Sequence, residues 1–210
     1  ILEKIMKHHP SELGLTTDAT QEPVVLTLAV GDHAEAARWD AFVAGCRGAT
    51  FFHRSGWQQV IGEVFRHRTH FLYAGRAGRI EGVLPLAHVK SFLFGNALVS
   101  LPFAVYGGVV ADTPEAATAL EDEAQALAQR LGVDHLELRN VEARHPDWPT
   151  QDLYVTFRKE ILADAEANLL AIPRKQRAMV RKAINSELRS EIDATPDRFF
   201  ALYADNVRRH

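Results

Sequence analysis

Apolar positions along the chain alternate between two periods. Residues 24–30, Val-Val-Leu-Thr-Leu-Ala-Val between Pro23 and Gly31-Asp32, form a β-branched run that predicts a buried strand. Over 34–46, Ala36, Trp39, Phe42, Val43 and Cys46 recur at helical spacing. After Gly48, Trp57, Val60, Ile61, Val64 and Phe65 fall on one face of a second helix. Four short β-rich stretches follow, 69–74, 80–89, 97–101 and 108–111, each bounded by turn residues. Thr113 as N-cap and Pro114 at the first helical position open a helix whose stripe of Leu120, Leu127 and Leu131 ends at Gly132. Alternation returns over 135–141 and, beyond the loop 146–149, over 153–157, predicting two more strands. This order predicts an α/β fold, a sheet with helices packed on it, preceded by a loose tail over 1–23.

Composition narrows the class. The 210 residues are 47% hydrophobic and 24% charged, which places the chain among folded globular proteins. The single cysteine, Cys46, has no internal partner for a disulfide. A net charge of -3 gives the whole surface no strong attraction for nucleic acid or anionic membrane. No apolar run reaches the ~20 residues of a membrane span. The longest, 97–111, is broken by Pro102 and by Gly107-Gly108. Residues 1–10 lack the pattern of a secretory signal, so the cytoplasm is the expected compartment. The chain opens on Ile1 and stops at His210 inside a helical pattern, which reads as a fragment.

Charge is distributed unevenly. Residues 1–172 carry 15 basic and 22 acidic side chains, a net -7, whereas 173–210 carry nine basic and five acidic, a net +4. The excess gathers in Arg174, Lys175, Arg177, Arg181 and Lys182, on a helix expected from Arg174 to about Leu188, with Pro173 at its start and Met179, Ala183 and Ile184 as an inward stripe. At 100° per residue Arg174, Arg177 and Arg181 align, and Lys175 and Lys182 form an adjoining pair. Several cations near a helix N-terminus suit phosphate. A solvated basic face that touches nothing is the competing reading, and composition alone leaves the two level.

Other chemistry is less well supported. There is no His-Glu-x-x-His, and His67-Arg68-Thr69-His70 falls at a helix-to-strand junction that does not bring both rings to one face, so no metal is expected. Cys46 lies on an apolar helical stripe, as a small core residue does. Gly-x-Ser-x-Gly, Walker and Gly-x-Gly-x-x-Gly motifs are absent. Phe103-Ala104-Val105-Tyr106-Gly107-Gly108 is the most unusual loop. Its glycines serve either a tight bend between strands or close approach to a ligand beside Phe103 and Tyr106. Trp57 reads as a core anchor or a ligand contact, and Glu137 and Arg139 as a pair on one strand face.

Several segments together resemble the FemAB-like family, most closely the branch associated with PEP-CTERM/exosortase exopolysaccharide loci. They are Phe51-Phe52-His53-x-x-x-Trp57, Gly82-Val83-Leu84-Pro85-Leu86, Leu98-Val99-Ser100-Leu101-Pro102-Phe103, Tyr106-Gly107-Gly108 and Ile172-Pro173-Arg174-Lys175-Gln176-Arg177-Ala178-Met179-Val180-Arg181-Lys182. The resemblance implies tandem acyltransferase domains of the GNAT fold, each a mixed sheet flanked by helices. Residues 24–160 would be the first, 161–195 a linker with the basic helix, and 196–210 the opening helix of a second. It also implies N-acyl or aminoacyl transfer to a phosphate-bearing peptidoglycan-type or exopolysaccharide precursor. Lys175 and Arg177 would contact its phosphates, with Arg181 and Lys182 beside them and Trp57, Phe103, Tyr106, Gly107 and Gly108 near the substrate. The family pattern names no catalytic residue here, and Ile61 stands where Fem enzymes tend to carry a lysine. The implied donor is aminoacyl-tRNA or acyl-CoA in the full protein, with no cofactor in this fragment, because 109–115 lacks the glycines of the GNAT pyrophosphate loop. Two alternatives stand beside it: a CoA-dependent N-acetyltransferase of polysaccharide biosynthesis, and a non-catalytic GNAT-like binding module. The fragment is expected to be inactive alone. The apolar helix from Asp197, with Phe199, Phe200, Leu202, Tyr203 and Val207, is expected to promote self-association.

Overall fold

A computed structural model describes residues 22–91, 95–151 and 155–210. The chain divides into two units, the first ending at Trp148 and the second running from Pro149 to His210. The first is an α/β sheet with helices packed on it, as the pattern predicts, and the sheet is mixed. Its strands are β1 (Val24–Thr27), β2 (Arg68–Arg76), β3 (Arg79–Ser91), β4 (Gly95–Ser100), β5 (Val110–Ala111) and β6 (His135–Glu137). They order β1-β2-β3-β4-β6, with β5 also on β3. All pairings are antiparallel except β4 with β6, which run parallel because the helix α3 (Pro114–Leu131) carries the chain back across the sheet between them.

Both faces of the sheet are covered, which is why β3 reads as a continuous apolar run rather than an alternation. Tyr73, Val83 and Ala87 join Trp39 and Val43 of α1 (His33–Gly45) in one core. Leu72, Ala74, Leu84, Leu86 and Leu98 pack against Ala116, Leu120 and Ala124 of α3 in the other. The ends of α3 are fixed by local chemistry. The Thr113 hydroxyl accepts from the Ala116 N–H at 3.2 Å, and Gly132 takes the left-handed conformation, φ 60°, that ends the last turn.

β4 and β5 share one partner. Ser100 faces Leu86 and Val110 faces Val83, so the nine residues 101–109 span a gap of two residues on β3, Leu84 and Pro85. The interrupted strand explains a proline inside a central strand. The Pro85 carbonyl accepts from the Leu101 N–H at 3.0 Å. The N–H that Pro85 lacks would point to the same side, where the ladder is already broken and no acceptor is lost.

Five expectations are revised. The strand over 24–30, expected to be buried, is an edge strand that ends at Thr27 with Val24 and Leu26 exposed. The helix expected around Trp57 is a single α-turn, α2 (Gly56–Gln59), that widens into a π-helical turn over Val60–Val64. Widening rotates successive side chains out of phase, so Ile61 is buried while Val60, Val64 and Phe65 are exposed. The strand over 135–141 stops at Glu137, because the Arg139 N–H leaves the ladder for the Ser100 hydroxyl at 2.6 Å. The strand expected over 153–157 begins outside the described residues, and Val155 to Phe157 have no regular structure. In the second unit the helices are α4 (Ala165–Leu170), α5 (Arg174–Ile184) and α6 (Asp197–Arg209). None of its described residues is buried, so Met179 and Ile184 face outward rather than forming an inward stripe. Too few of its side chains converge to build a core.

Candidate functional site

In open α/β sheets ligands collect at the carboxyl ends of parallel strands. In this sheet that place is where β4 and β6 end, and where the excursion 101–109 leaves β4. The excursion carries backbone strain. Leu101 and Phe103 have φ of 45° and 69°, a region that costs a non-glycine residue ~1–3 kcal/mol and persists only where surrounding contacts enforce it. Leu101 is fully buried, whereas Phe103 is exposed and stacks on Phe65, with ring centroids 4.1 Å apart, and on His67 at 6.0 Å.

The enforcing contacts come from the end of β6. The Arg139 carbonyl accepts from the N–H groups of Gly107 and Gly108, at 3.3 and 3.0 Å, and its Nη1 donates to the Ala104 carbonyl at 2.7 Å. Its Nε meets Glu137 at 2.6 Å, the pair the sequence suggested. Asn140 Oδ1 accepts from the Val109 N–H at 3.1 Å. These contacts account for both glycines. A Cβ on Gly108 would lie 2.7 Å from Asn140 Cα, and one on Gly107 would lie 3.0 Å from the Ser100 carbonyl oxygen. Neither glycine has a positive φ, so the requirement is close approach to the protein's own backbone, which is the tight-bend reading.

From the opposite side the excursion meets a short 3-10 turn over Phe51–His53. His53 is buried; its Nδ1 lies 3.0 Å from the Thr50 backbone N–H and its Nε2 3.0 Å from the Gly108 carbonyl. The Thr50 backbone N–H can only donate and the Gly108 carbonyl only accept, which assigns the neutral Nε2–H tautomer, and the Thr50 hydroxyl, 3.0 Å from the same Nδ1, then donates as well. Burial pushes the imidazole pKa below its usual value, against the opposing effect of the Gly108 and Thr50 backbone bonds. Trp39 Nε1 donates to the His53 carbonyl at 2.7 Å and fixes the turn on the core. Trp57 is half-buried against Phe51 and Phe52, as a core anchor is. Tyr106 is half-buried in the excursion. The contributions of His53, Ser100, Arg139 and Asn140 were not visible in spacing, because each depends on a partner at least thirty residues distant along the chain.

The N-termini of α3 and α5 differ. On α3, Pro114 has no N–H, Ala116 donates to Thr113 Oγ1 and Ala117 to the Thr113 carbonyl. With Glu115 beside them, these groups do not fit a CoA pyrophosphate. On α5 no side chain caps the N-terminus, and Pro173 fills the N-cap position. Arg174, Lys175, Arg181 and Lys182 project from this helix into solvent. Arg177 does not join them. Its Nη2 donates to the Leu170 and Ile172 carbonyls at 2.8 and 2.9 Å, and its Nε to Ile172 at 3.2 Å, closing the corner from α4.

Among the described residues no group of three or more His, Cys, Asp or Glu side chains gathers as metal ligands, and no helix is long and apolar enough to cross a membrane. His67 turns to Phe103, while His70 sits in β2 with its pKa lowered by burial and by the nearby Arg68, His88 and Arg130 charges.

No family model matches the chain, and no curated protein matches it. Solved structures do show similarity. A GNAT family acetyltransferase from Staphylococcus aureus is 11% identical, with 67% of this chain and 100% of that one covered at a TM-score of 0.43. A ribosomal-protein-alanine N-acetyltransferase from Brucella melitensis biovar Abortus is 16% identical, with coverage of 67% and 100% and a TM-score of 0.43. A transcriptional regulator from Bacillus halodurans is 8% identical, with coverage of 66% and 99% and a TM-score of 0.42.

Proposed function

We propose that this chain is part of a FemAB-like acyl- or aminoacyl-transferase acting on a phosphate-bearing cell-envelope or exopolysaccharide precursor. The observation that carries the reading is the uncapped N-terminus of α5 with Lys175, Arg181 and Lys182 on the same helix. The free backbone amides act on an anion together with Arg174 and Lys175 in the first turn, while Arg181 and Lys182 stand in the last turn, ~10 Å farther along the helix. In this reading Arg177 holds the helix in place, and Lys175, Arg181 and Lys182 meet the phosphates. Taken by itself, the first unit offers the excursion beside β6, with Phe103, Tyr106, Gly107 and Gly108, as the frame of the transfer site, and Trp57 anchors the adjoining turn. Transfer joins the acceptor amine nitrogen to the donor acyl carbon; the ester C–O or thioester C–S bond breaks, and the departing oxygen or sulfur takes up the proton that the amine loses.

The closed N-terminus of α3 favours aminoacyl-tRNA over an acyl-CoA held at that helix. The exposed apolar residues of α6, Phe199, Phe200, Tyr203 and Val207, favour cover by a further domain or by a second copy. A mass-shift assay on the full-length protein, with a phosphorylated amino-sugar acceptor and either aminoacyl-tRNA or acyl-CoA, tests the proposal. An amide-linked product from one donor is expected, and no transfer from either donor overturns it.

A further inference from the structure

We infer that His53, in its neutral Nε2–H form, is a positioning residue that holds the excursion 101–109 in its strained conformation. The inference rests on the reading of the excursion as the frame of the transfer site, and it names the residue that sets that frame. Three observations converge on Gly108. Its N–H donates to the Arg139 carbonyl and its carbonyl accepts from His53 Nε2, each at 3.0 Å, so one residue bridges the end of β6 and the 3-10 turn. Asn140 occupies the space a side chain would need there, which stops the backbone from sliding toward β6. His53 in turn cannot rotate away, because it is buried, its Nδ1 is engaged by Thr50, and its own carbonyl is held by Trp39. The ring is therefore a fixed strut fifty-five residues distant from the carbonyl it holds. The strained φ values of Leu101 and Phe103 lie between the strand end at Ser100 and this pinned glycine. Releasing Gly108 lets both relax, and Phe103 then leaves its stack on Phe65.

Nitrogen-15 NMR of the wild-type imidazole and amide exchange at Gly107, Gly108 and Val109 test this directly. At pH 7 the ring is expected to carry its proton on Nε2. His53→Asn keeps an acceptor near Thr50 but does not reach Gly108, and should speed exchange at the three amides at least tenfold while β2 and β3 change less than twofold. His53→Gln extends a donor to the Gly108 carbonyl and should recover most of that protection. A proton on Nδ1, or a uniform rise in exchange across the sheet with no recovery in His53→Gln, overturns the inference. Titration of the same proteins with inorganic pyrophosphate separates the two readings. Unchanged pyrophosphate binding in His53→Asn with the local exchange effect supports the inference. No pyrophosphate binding by any of the proteins, with the exchange effect present, leaves the His53 inference standing and counts against the phosphate site on α5.

Discussion

Arg177 Nη2 stands 2.8 Å from the carbonyl oxygen of Leu170, one of the carbonyls that end α4. A guanidinium in this place satisfies acceptors that the helix leaves without a partner and complements the negative end of its dipole. Arg177→Ala should therefore speed amide exchange over residues 165–184 severalfold. Arg177→Lys should not restore it, since one ammonium cannot reproduce the planar fork that spans Leu170 and Ile172. Equal exchange in all three proteins would show that the corner does not depend on this side chain.

Gly108→Ala should be among the most damaging small substitutions in the first unit. The added methyl overlaps Asn140, and forced overpacking costs ~1–3 kcal/mol. The expected result is a melting temperature lowered by several degrees. Gly48→Ala, whose Cβ would meet only Val110 Cγ1 at 3.8 Å, serves as the control and should lose little.

Stability should depend on pH in a defined direction. Burial lowers the pKa of both His53 and His70, so between pH 6.5 and their folded values the native protein binds fewer protons than the unfolded chain. That contribution is present above pH 6.5 and is lost as pH falls through the lowered values. Tyr73 behaves in the opposite sense. Its pKa is raised by burial and by Glu35, so its contribution is lost as pH rises above 10. Urea midpoints should fall from pH 7.5 to 5.5, and less steeply in His53→Gln. A midpoint that does not change over this interval contradicts the buried neutral imidazoles.

Acetyl-CoA should not stabilise the 210-residue chain. A ligand that binds only the folded state raises its melting temperature. A saturable rise at sub-millimolar acetyl-CoA would show that the start of α3 accepts a pyrophosphate despite Pro114 and the Thr113 cap.

Much of the fold is legible in the sequence wherever its determinants are local. Thr113-Pro114 and Gly132 delimit α3 because capping needs only neighbours in the chain. The basic helix is legible for the same reason, since a run of cations after a proline is a one-dimensional signal. The direction of Arg177 is not, because it depends on carbonyls exposed only after α4 has formed. The π-helical turn after Gln59 escapes a reading at 3.6 residues per turn, and the apolar face expected around Trp57 splits there. The excursion is half legible. Gly107-Gly108 announces a tight bend, and Pro85 inside a strand marks where the ladder is broken. What fills the space beside the glycines is Asn140, more than thirty residues later, and no local pattern points to it.

Calorimetric titration of the chain with a nucleotide-sugar diphosphate tests the central claim most directly. Each charge-assisted contact is worth ~1.5–3 kcal/mol where water is partly excluded and less on an exposed helix, so Lys175→Ala/Lys182→Ala should weaken binding about tenfold. Wild type and double variant binding with equal affinity, or neither binding, would return α5 to a solvated basic face and contradict the phosphate-bearing acceptor.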